Sequence, residues 1–252
     1  MSFKLCFSTM LAMILAWAAA GNRNLWKESD AWAESARVSA GTDAENELLP
    51  GTFLPVQTRS PSSLAAGKLL VASRGLADPH FARTVVLLVQ YDPRGVVGLI
   101  LNRRTQVPLS RVLNGVKGAK DRSDALYLGG PVDAPELFAL FRSPAKVEGT
   151  ENVFGDLYLI SAKAVFEHIV STQPDPGVFH VYLGYGGWTV KQLRAEVQLG
   201  AWFIFPGDLG TVFNSDPDSL WREMIRKTEM QLAGSEPART RMDPFVQLSY
   251  KR

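Results

Sequence analysis

Cysteine is almost missing from this chain. Of 252 residues only Cys6 is one, and it lies inside an apolar run at the N-terminus. The rest of the chain therefore cannot build a disulfide, a thiol nucleophile or a cysteine-ligated metal site. Histidine is scarce too, with three in all. His80, His168 and His180 stand at no metal-ligand spacing from one another or from a paired carboxylate, so no metal is expected. A Gly-x-Ser-x-Gly elbow and a His-Glu-x-x-His helix are both lacking, and no motif asks for a cofactor. No charge of one sign dominates either: 27 Lys and Arg face 25 Asp and Glu, a net of +2. That balance argues against nucleic acid as a partner. The densest basic stretch, Arg103, Arg104, Arg111, Lys117, Lys120 and Arg122, is diluted by Asp121 and Asp124 and reads as a solvated loop.

What is present is globular content, 46% hydrophobic and 21% charged, enough for one moderate core. Lys4, the uncharged run from Leu5 to Trp17 and Ala18-Ala19-Ala20 read as a secretory signal over residues 1–20, too short for a comfortable membrane span. The expected location is periplasmic or secreted, with no stable membrane span after cleavage; a start codon placed too far upstream would instead leave a cytoplasmic protein. Residues 21–66 are rich in Ala, Ser, Glu, Asn and Pro and read as a disordered linker or pro-segment. A short amphipathic helix around 24–36 could carry Trp26 and Trp32. Residues 232–252 read as a loose tail, which leaves 67–231 as a single domain.

Within that domain, β-branched and apolar runs at 68–73, 84–91 and 96–102 predict three successive strands, the last two joined by Asp92-Pro93-Arg94-Gly95. Further strands are expected at 126–129, 137–141, 156–160, 179–183 and 202–205. Helical patterns cover 109–113, 162–170 after a Ser161 cap, 190–199 and 219–231. Strands arrive first and helices come unevenly, so strict βαβ alternation fails. The fold class is α+β with a mixed, largely antiparallel sheet.

Two features could carry binding. The stretch Gly184-Tyr185-Gly186-Gly187-Trp188-Thr189-Val190-Lys191-Gln192-Leu193 reads as a turn from strand to helix. It satisfies neither a Walker loop nor a dinucleotide fingerprint. Thr189 and Gln192 read as a capping box with Trp188 as a core anchor, whereas exposed amides at a helix start would hold an anion. Polar residues also gather at strand ends: Asp78, Arg83 and Thr84 before one strand, Asn102 and Arg103 after another, and Gly129-Gly130-Pro131 after a third. Arg with Asn can bind a carboxylate or phosphate, and the same residues can satisfy turn amides. The candidate ligand-binding set is Arg83, Asn102, Arg103, Gly129, Gly130, Gly184, Gly186, Gly187 and Trp188.

Read in order, Gly67-Lys68-Leu69-Leu70-Val71-Ala72, Leu76-Ala77-Asp78-Pro79-His80-Phe81-Ala82-Arg83-Thr84-Val85-Val86-Leu87-Leu88, Gly98-Leu99-Ile100-Leu101-Asn102-Arg103, Gly129-Gly130-Pro131-Val132 and Gly184-Tyr185-Gly186-Gly187-Trp188 with Gln192-Leu193 resemble the signature of the AlgH/YqgE family. The resemblance implies a compact α+β domain with a strongly coiled, bifurcated sheet, flanking helices and no established enzymatic activity. Members are often labelled transcriptional regulators, without a recognisable DNA-binding element, and are generally cytosolic. This chain departs from the pattern in its signal-like start, and at Arg74, Arg104 and Phe141, where the family often carries proline, proline and histidine. The expectation is a non-catalytic domain that binds a partner protein or a small anionic ligand. Cytoplasmic regulation and an enzyme on a phosphorylated or acyl substrate are the alternatives.

Overall fold

The computed structural model describes residues 57–235. The signal-like segment, the helix around Trp26 and Trp32 and the tail from residue 236 lie outside them. Apolar runs buried along their length form β1 (Lys68–Ala72), β2 (Val85–Asp92) and β3 (Gly95–Ile100). Asp92 closes the β2–β3 hairpin, its carboxylate accepting from the Arg94 amide at 2.8 Å. Then come β4 (Arg104–Pro108), helix α1 (Leu109–Val112), β5 (Ala125–Leu128), β6 (Val132–Arg142), β7 (Glu151–Phe154) and β8 (Leu157–Ile160). Helix α2 (Lys163–Ser171), β9 (Phe179–Trp188), α3 (Val190–Gln198), β10 (Trp202–Pro206) and α4 (Pro217–Ser235) complete the chain.

The strands form one ten-stranded sheet in the order β10-β1-β2-β3-β9-β6-β8-β7, with β5 and β4 branching off β9. Among the described residues every pairing is antiparallel except β5 with β9. The branch follows from the length of β9. Its last residues, Gly186 to Trp188, pair with Val96 to Gly98 of β3, while Val181 to Leu183 pair in parallel with Leu126 to Leu128 of β5. β6 lines the opposite edge of β9 from Phe179 to Tyr185, with a break in register between Val132 and Leu137. The sheet therefore forks at Gly184, and β5 is the wedge between β9 and β4. It also curls, because Phe154 at the end of β7 lies against Gly67 and Gly207 beside β1 and β10.

Each arm has its own core. One packs β1, β2, β3 and β10 with Leu193 and Val197 of α3 and Leu220, Trp221, Met224 and Ile225 of α4. The other seats Phe166, Ile169 and Val170 of α2, with Leu109 of α1, on Leu126, Leu128, Val181 and Leu183.

Several expectations need correcting. The glycine stretch at 184–187 is not a turn before a helix but the second half of β9, since its backbone finds a new strand partner there. Only half of the capping box forms: Thr189 Oγ1 accepts from the Gln192 amide at 3.1 Å, while the Gln192 side chain turns to Glu196. Ser161 does not cap α2, whose first flanking residue is Ala162. Residues ahead of Gly67 already pack on the domain: Thr58 bridges to Ile204, Arg59 lies 4.0 Å over the Phe203 ring and Leu64 is buried. At the other end α4 continues past Gln231 to Ser235.

Candidate functional site

The fork brings Gly129, Gly130 and Gly184 together. Gly129 N–H donates to Leu183 O at 2.8 Å, and Gly129 O accepts from the Ile100 amide at 2.9 Å, so this one residue ties the wedge to both branches. A Cβ on Gly129 would lie 2.1 Å from the Gly184 carbonyl oxygen, and one on Gly130 would lie 2.0 Å from the Tyr185 carbonyl carbon. Gly184 holds φ +67°, a left-handed value natural to glycine. Trp188 is buried with its ring against Gly98 and Gly186 and 4.8 Å from the Phe81 ring. Its indole N–H and that of Trp202 both donate to Glu196 Oε2, at 3.2 and 2.8 Å. Gly187 faces the Tyr185 ring.

Asn102 sits on the rim of this fork with both ends of its amide engaged. Oδ1 accepts from the Val85 amide and Nδ2 donates to Arg83 O, each at 2.9 Å. Arg103 is half-buried and donates to Pro79 O at 3.3 Å; burial pushes its guanidinium pKa down, with Asp78 acting the other way. Arg83 holds φ +57° and extends its guanidinium 6.0 Å from the Trp221 ring. Arg83 and Arg103 are the two side chains of the expected set that keep hydrogen-bonding capacity at the surface; Asn102, Trp188 and the glycines are occupied within the protein.

A second location was not foreseen. β4 carries a wide bulge: Arg104 pairs with Tyr127 and Pro108 with Ala125, so three residues of β4 oppose Leu126 alone. Thr105 Oγ1 holds the bulge by accepting from the Val107 amide at 3.0 Å. Bulges of this kind re-aim side chains and recur beside functional sites. This one borders a groove of about 490 Å³, walled by residues 104–108, Ser123, Asp124, Ala125 and Pro176, with Tyr127 and His180 along it.

The Tyr127 and His180 rings stack at 4.8 Å and 24°, and Phe213 supports His180 from 5.0 Å. His180 bonds to the backbone of Pro176, and its Nδ1 is buried without a partner. Proline offers only a carbonyl there, so Nε2 carries the proton and donates it. Burial pushes the imidazole down to about 4, which keeps the ring neutral at physiological pH. Burial also pushes the Tyr127 phenol up, against the pull of Arg104.

The charges in the groove are not equivalent. Asp124 is gripped by Arg122 through Nε at 3.0 Å and Nη2 at 2.7 Å. Arg122 is buried, reaches Pro174 O at 2.9 Å and lies over the Phe179 ring, so it is a structural cation rather than part of a solvated loop. Arg104 has only a long contact, 3.7 Å, to the exposed Asp218 at the start of α4. The pair Arg122–Asp124 cancels, leaving Arg104, held only by that long exposed contact, as the more available charge beside the groove.

Little along the chain warns of this place. His180 stands alone in the sequence because Tyr127 and Phe213 reach it only through the fold. The one local signal was Arg104, a departure from the proline common there in the resembled family. Among the described residues no cluster of His, Cys, Asp and Glu could hold a metal ion, and no helix is long and apolar enough to cross a membrane.

Comparison with known proteins agrees with the forked sheet. The AlgH-like family model, DUF179, matches residues 69–233. A UPF0301 protein of Streptomyces avermitilis is 35% identical over 177 residues, covering 68% of this chain and 90% of its own length. A UPF0301 protein of Chlorobium luteolum is 31% identical over 69% of this chain and 92% of its own. These designations assign no activity. The solution structure of the AlgH protein from Pseudomonas aeruginosa superposes with a TM-score of 0.55 at 27% identity, covering 68% of this chain and 94% of that one. A crystal structure from Corynebacterium diphtheriae, 22% identical with the same TM-score of 0.55, shares the fold over 66% of this chain and 87% of its own. With the model spanning the domain from β1 to α4, this chain belongs to the AlgH-like family.

Proposed function

We propose that this protein is a non-catalytic binding module that holds a small anionic ligand in the groove beside β4. One observation carries the reading: the β4 bulge borders a cavity of about 490 Å³ lined by Arg104, a cation held otherwise only by a long, exposed 3.7 Å contact to Asp218. Gln106 and Ser123 add uncharged polar groups to the same wall. The chemistry favours binding over turnover. A general base needs a lone pair within reach of the substrate, but one nitrogen of His180 donates to Pro176 and the other is enclosed. The Asp124 carboxylate is held by Arg122, and Tyr127, pushed up by burial, acts as a donor rather than a nucleophile.

The test is a titration of the full chain with acetate and inorganic phosphate, followed by backbone amide shifts. Saturable changes at residues 104–108, 123–127 and 176–180, lost in Arg104→Glu, are the expected result. Shifts centred on Arg83, Asn102 and Arg103 would move the site to the fork rim and overturn the assignment.

Export belongs to the same proposal and rests on the sequence of residues 1–20 alone. The N-terminus of the mature protein, read from fractionated cells, decides it. A chain recovered from the cytosol with residues 1–20 intact would remove export and restore a cytoplasmic regulatory role.

A further inference from the structure

We infer that the groove takes a small polyhydroxylated carboxylate, its acid group held by Arg104 and its hydroxyls by the polar groups along the rest of the wall. The inference rests on the anion-binding proposal above and names the class of ligand.

The groove collects polar side chains that the protein leaves unpaired. Burial along β4 alternates, with Arg104 and Gln106 exposed and Thr105 and Val107 buried, so Arg104 and Gln106 stand on one face, about 7 Å or less apart along the strand. Among the described residues neither the Gln106 amide nor the Ser123 hydroxyl makes a hydrogen bond. The Tyr127 ring is buried, yet its hydroxyl is neither paired nor enclosed, unlike that of Tyr182. Arg122 grips Asp124 through both carboxylate oxygens, but a carboxylate has about four lone-pair sites and can still accept from a ligand. The charges of Asp124 and Arg104 both act on the Tyr127 phenol, which puts them along the same wall. An apolar acid would cover these groups without replacing the water they bind, at a cost for each one left unmatched. A hydroxyl suits all of them, because it both donates and accepts.

The charge of the acid follows from the charges around it. Arg122 and Asp124 cancel and burial keeps His180 neutral, which leaves the one positive charge of Arg104, whose contact with Asp218 is long and exposed. A carboxylate matches that charge, and the planar guanidinium can take it through two parallel hydrogen bonds. A phosphate monoester, at about −1.5 to −2, would bring surplus negative charge beside Asp124. The volume of about 490 Å³ lies within the range of small-molecule sites and admits a six-carbon chain with its hydroxyls.

Four probes titrated into the full chain separate the parts, with binding followed by amide shifts at residues 104–108, 123–127 and 176–180. Gluconate has both acid and hydroxyls, hexanoate has the acid on a chain of the same length without hydroxyls, sorbitol has the hydroxyls without charge, and sorbitol 6-phosphate has the hydroxyls on a phosphate ester. Gluconate should bind about tenfold tighter than hexanoate, the worth of one or two net hydrogen bonds, and about tenfold tighter than sorbitol, as expected for a charge-assisted contact. Gln106→Leu, at an exposed strand position, should weaken gluconate about threefold and leave hexanoate no weaker. Arg104→Gln should erase the advantage over sorbitol. Hexanoate binding as tightly as gluconate overturns the hydroxyl assignment while leaving an anion site standing, a result read on the native protein. Sorbitol 6-phosphate binding tighter than gluconate overturns the carboxylate and likewise leaves the anion site. Sorbitol binding as tightly as gluconate, or no response in the groove to any of the three anions, overturns both the ligand class and the binding proposal beneath it.

Discussion

The fork and the groove share β5 and β9, the first completed by β3 and the second by β4, and they treat polar groups in opposite ways. At the fork most features that stand out in the sequence are consumed by the protein itself, Arg83 and Arg103 on the rim excepted. Gly129 is bonded to both branches, Asn102 spends its amide on two backbone groups, and the two indoles share Glu196. In the groove Arg104 has only a long contact to an exposed carboxylate, and the bulge leaves open volume beside it. Buried polar groups that are fully paired specify a structure, whereas a cation left beside a cavity is available to a ligand. A conspicuous motif is therefore a weak pointer to function when the fold itself uses up its chemistry.

The largest effect expected is at the fork. Gly130→Ala puts a Cβ 2.0 Å from the carbonyl carbon of Tyr185 and 2.2 Å from its oxygen, backbone atoms that cannot turn aside as a side chain would. The wedge must back out of the fork or β9 must break its pairing, and a loss of about 4 kcal/mol or more follows. Urea denaturation measures it. A change below about 1 kcal/mol would mean that the fork is loose and that its glycines are kept for something other than packing.

The next effect belongs to the groove side, through His180. Its imidazole sits at about 4 in the fold against 6.5 for the free side chain. The unfolded chain takes up a proton as the pH falls below 6.5, while the folded chain resists until about 4. Stability is then fully present above pH 6.5 and falls through the window from 6.5 to 4, by about 3 kcal/mol if the shift is as large as this. Denaturation curves at pH 7 and pH 4.5, compared with those of His180→Phe, isolate this part from the carboxylates. Parallel pH profiles for the two proteins would show that the ring is hydrated and that the groove is wetter than its stacked rings indicate.

Much of this architecture was legible in the sequence, and the exceptions share a cause. The β2–β3 hairpin, β10 and helices α1, α3 and α4 all announce themselves through local period and turn residues. β4 hides because its five residues, Arg-Thr-Gln-Val-Pro, are partly polar, end in proline and bulge. β7 hides because it is four residues long with only Val153 buried. The glycines of β9 signal a special backbone, yet nothing local says that β9 trades β5 for β3 at Gly184 rather than turning. The groove is harder still. Arg104 and Tyr127 meet through a bulged pairing, and Pro176 and His180 join them from the far side of β5, a juxtaposition that no spacing along the chain encodes.

Asn102 should show a smaller effect confined to the fork. Asn102→Ala leaves the Val85 amide without its acceptor and the Arg83 carbonyl without its donor. Roughly 1–3 kcal/mol is the cost of such orphaned groups, and thermal melts would register it. Binding in the groove should be untouched. If the substitution instead abolished anion binding while stability held, the rim with Arg83 and Arg103 would be the site, and the contrast between the two regions would reverse.

Arg104 completes the comparison with the smallest change in stability. Its contact with Asp218 is 3.7 Å long, with the two side chains 42% and 79% exposed, and exposed pairs of this kind contribute well under 1 kcal/mol. Arg104→Gln keeps a side chain of similar reach that can still donate hydrogen bonds from the bulge. Its denaturation midpoint should stay within about 0.5 kcal/mol of the native protein. What the variant loses is the charge left over when Arg122 and Asp124 cancel, so any anion bound in the groove should weaken and its remaining affinity should lose much of its salt dependence. A residue whose removal costs the fold almost nothing but costs the groove its selectivity is placed for a ligand. If Arg104→Gln instead destabilised the protein as strongly as Asn102→Ala, Arg104 would be a brace between β4 and α4, and the groove would be a packing defect beside a bulge.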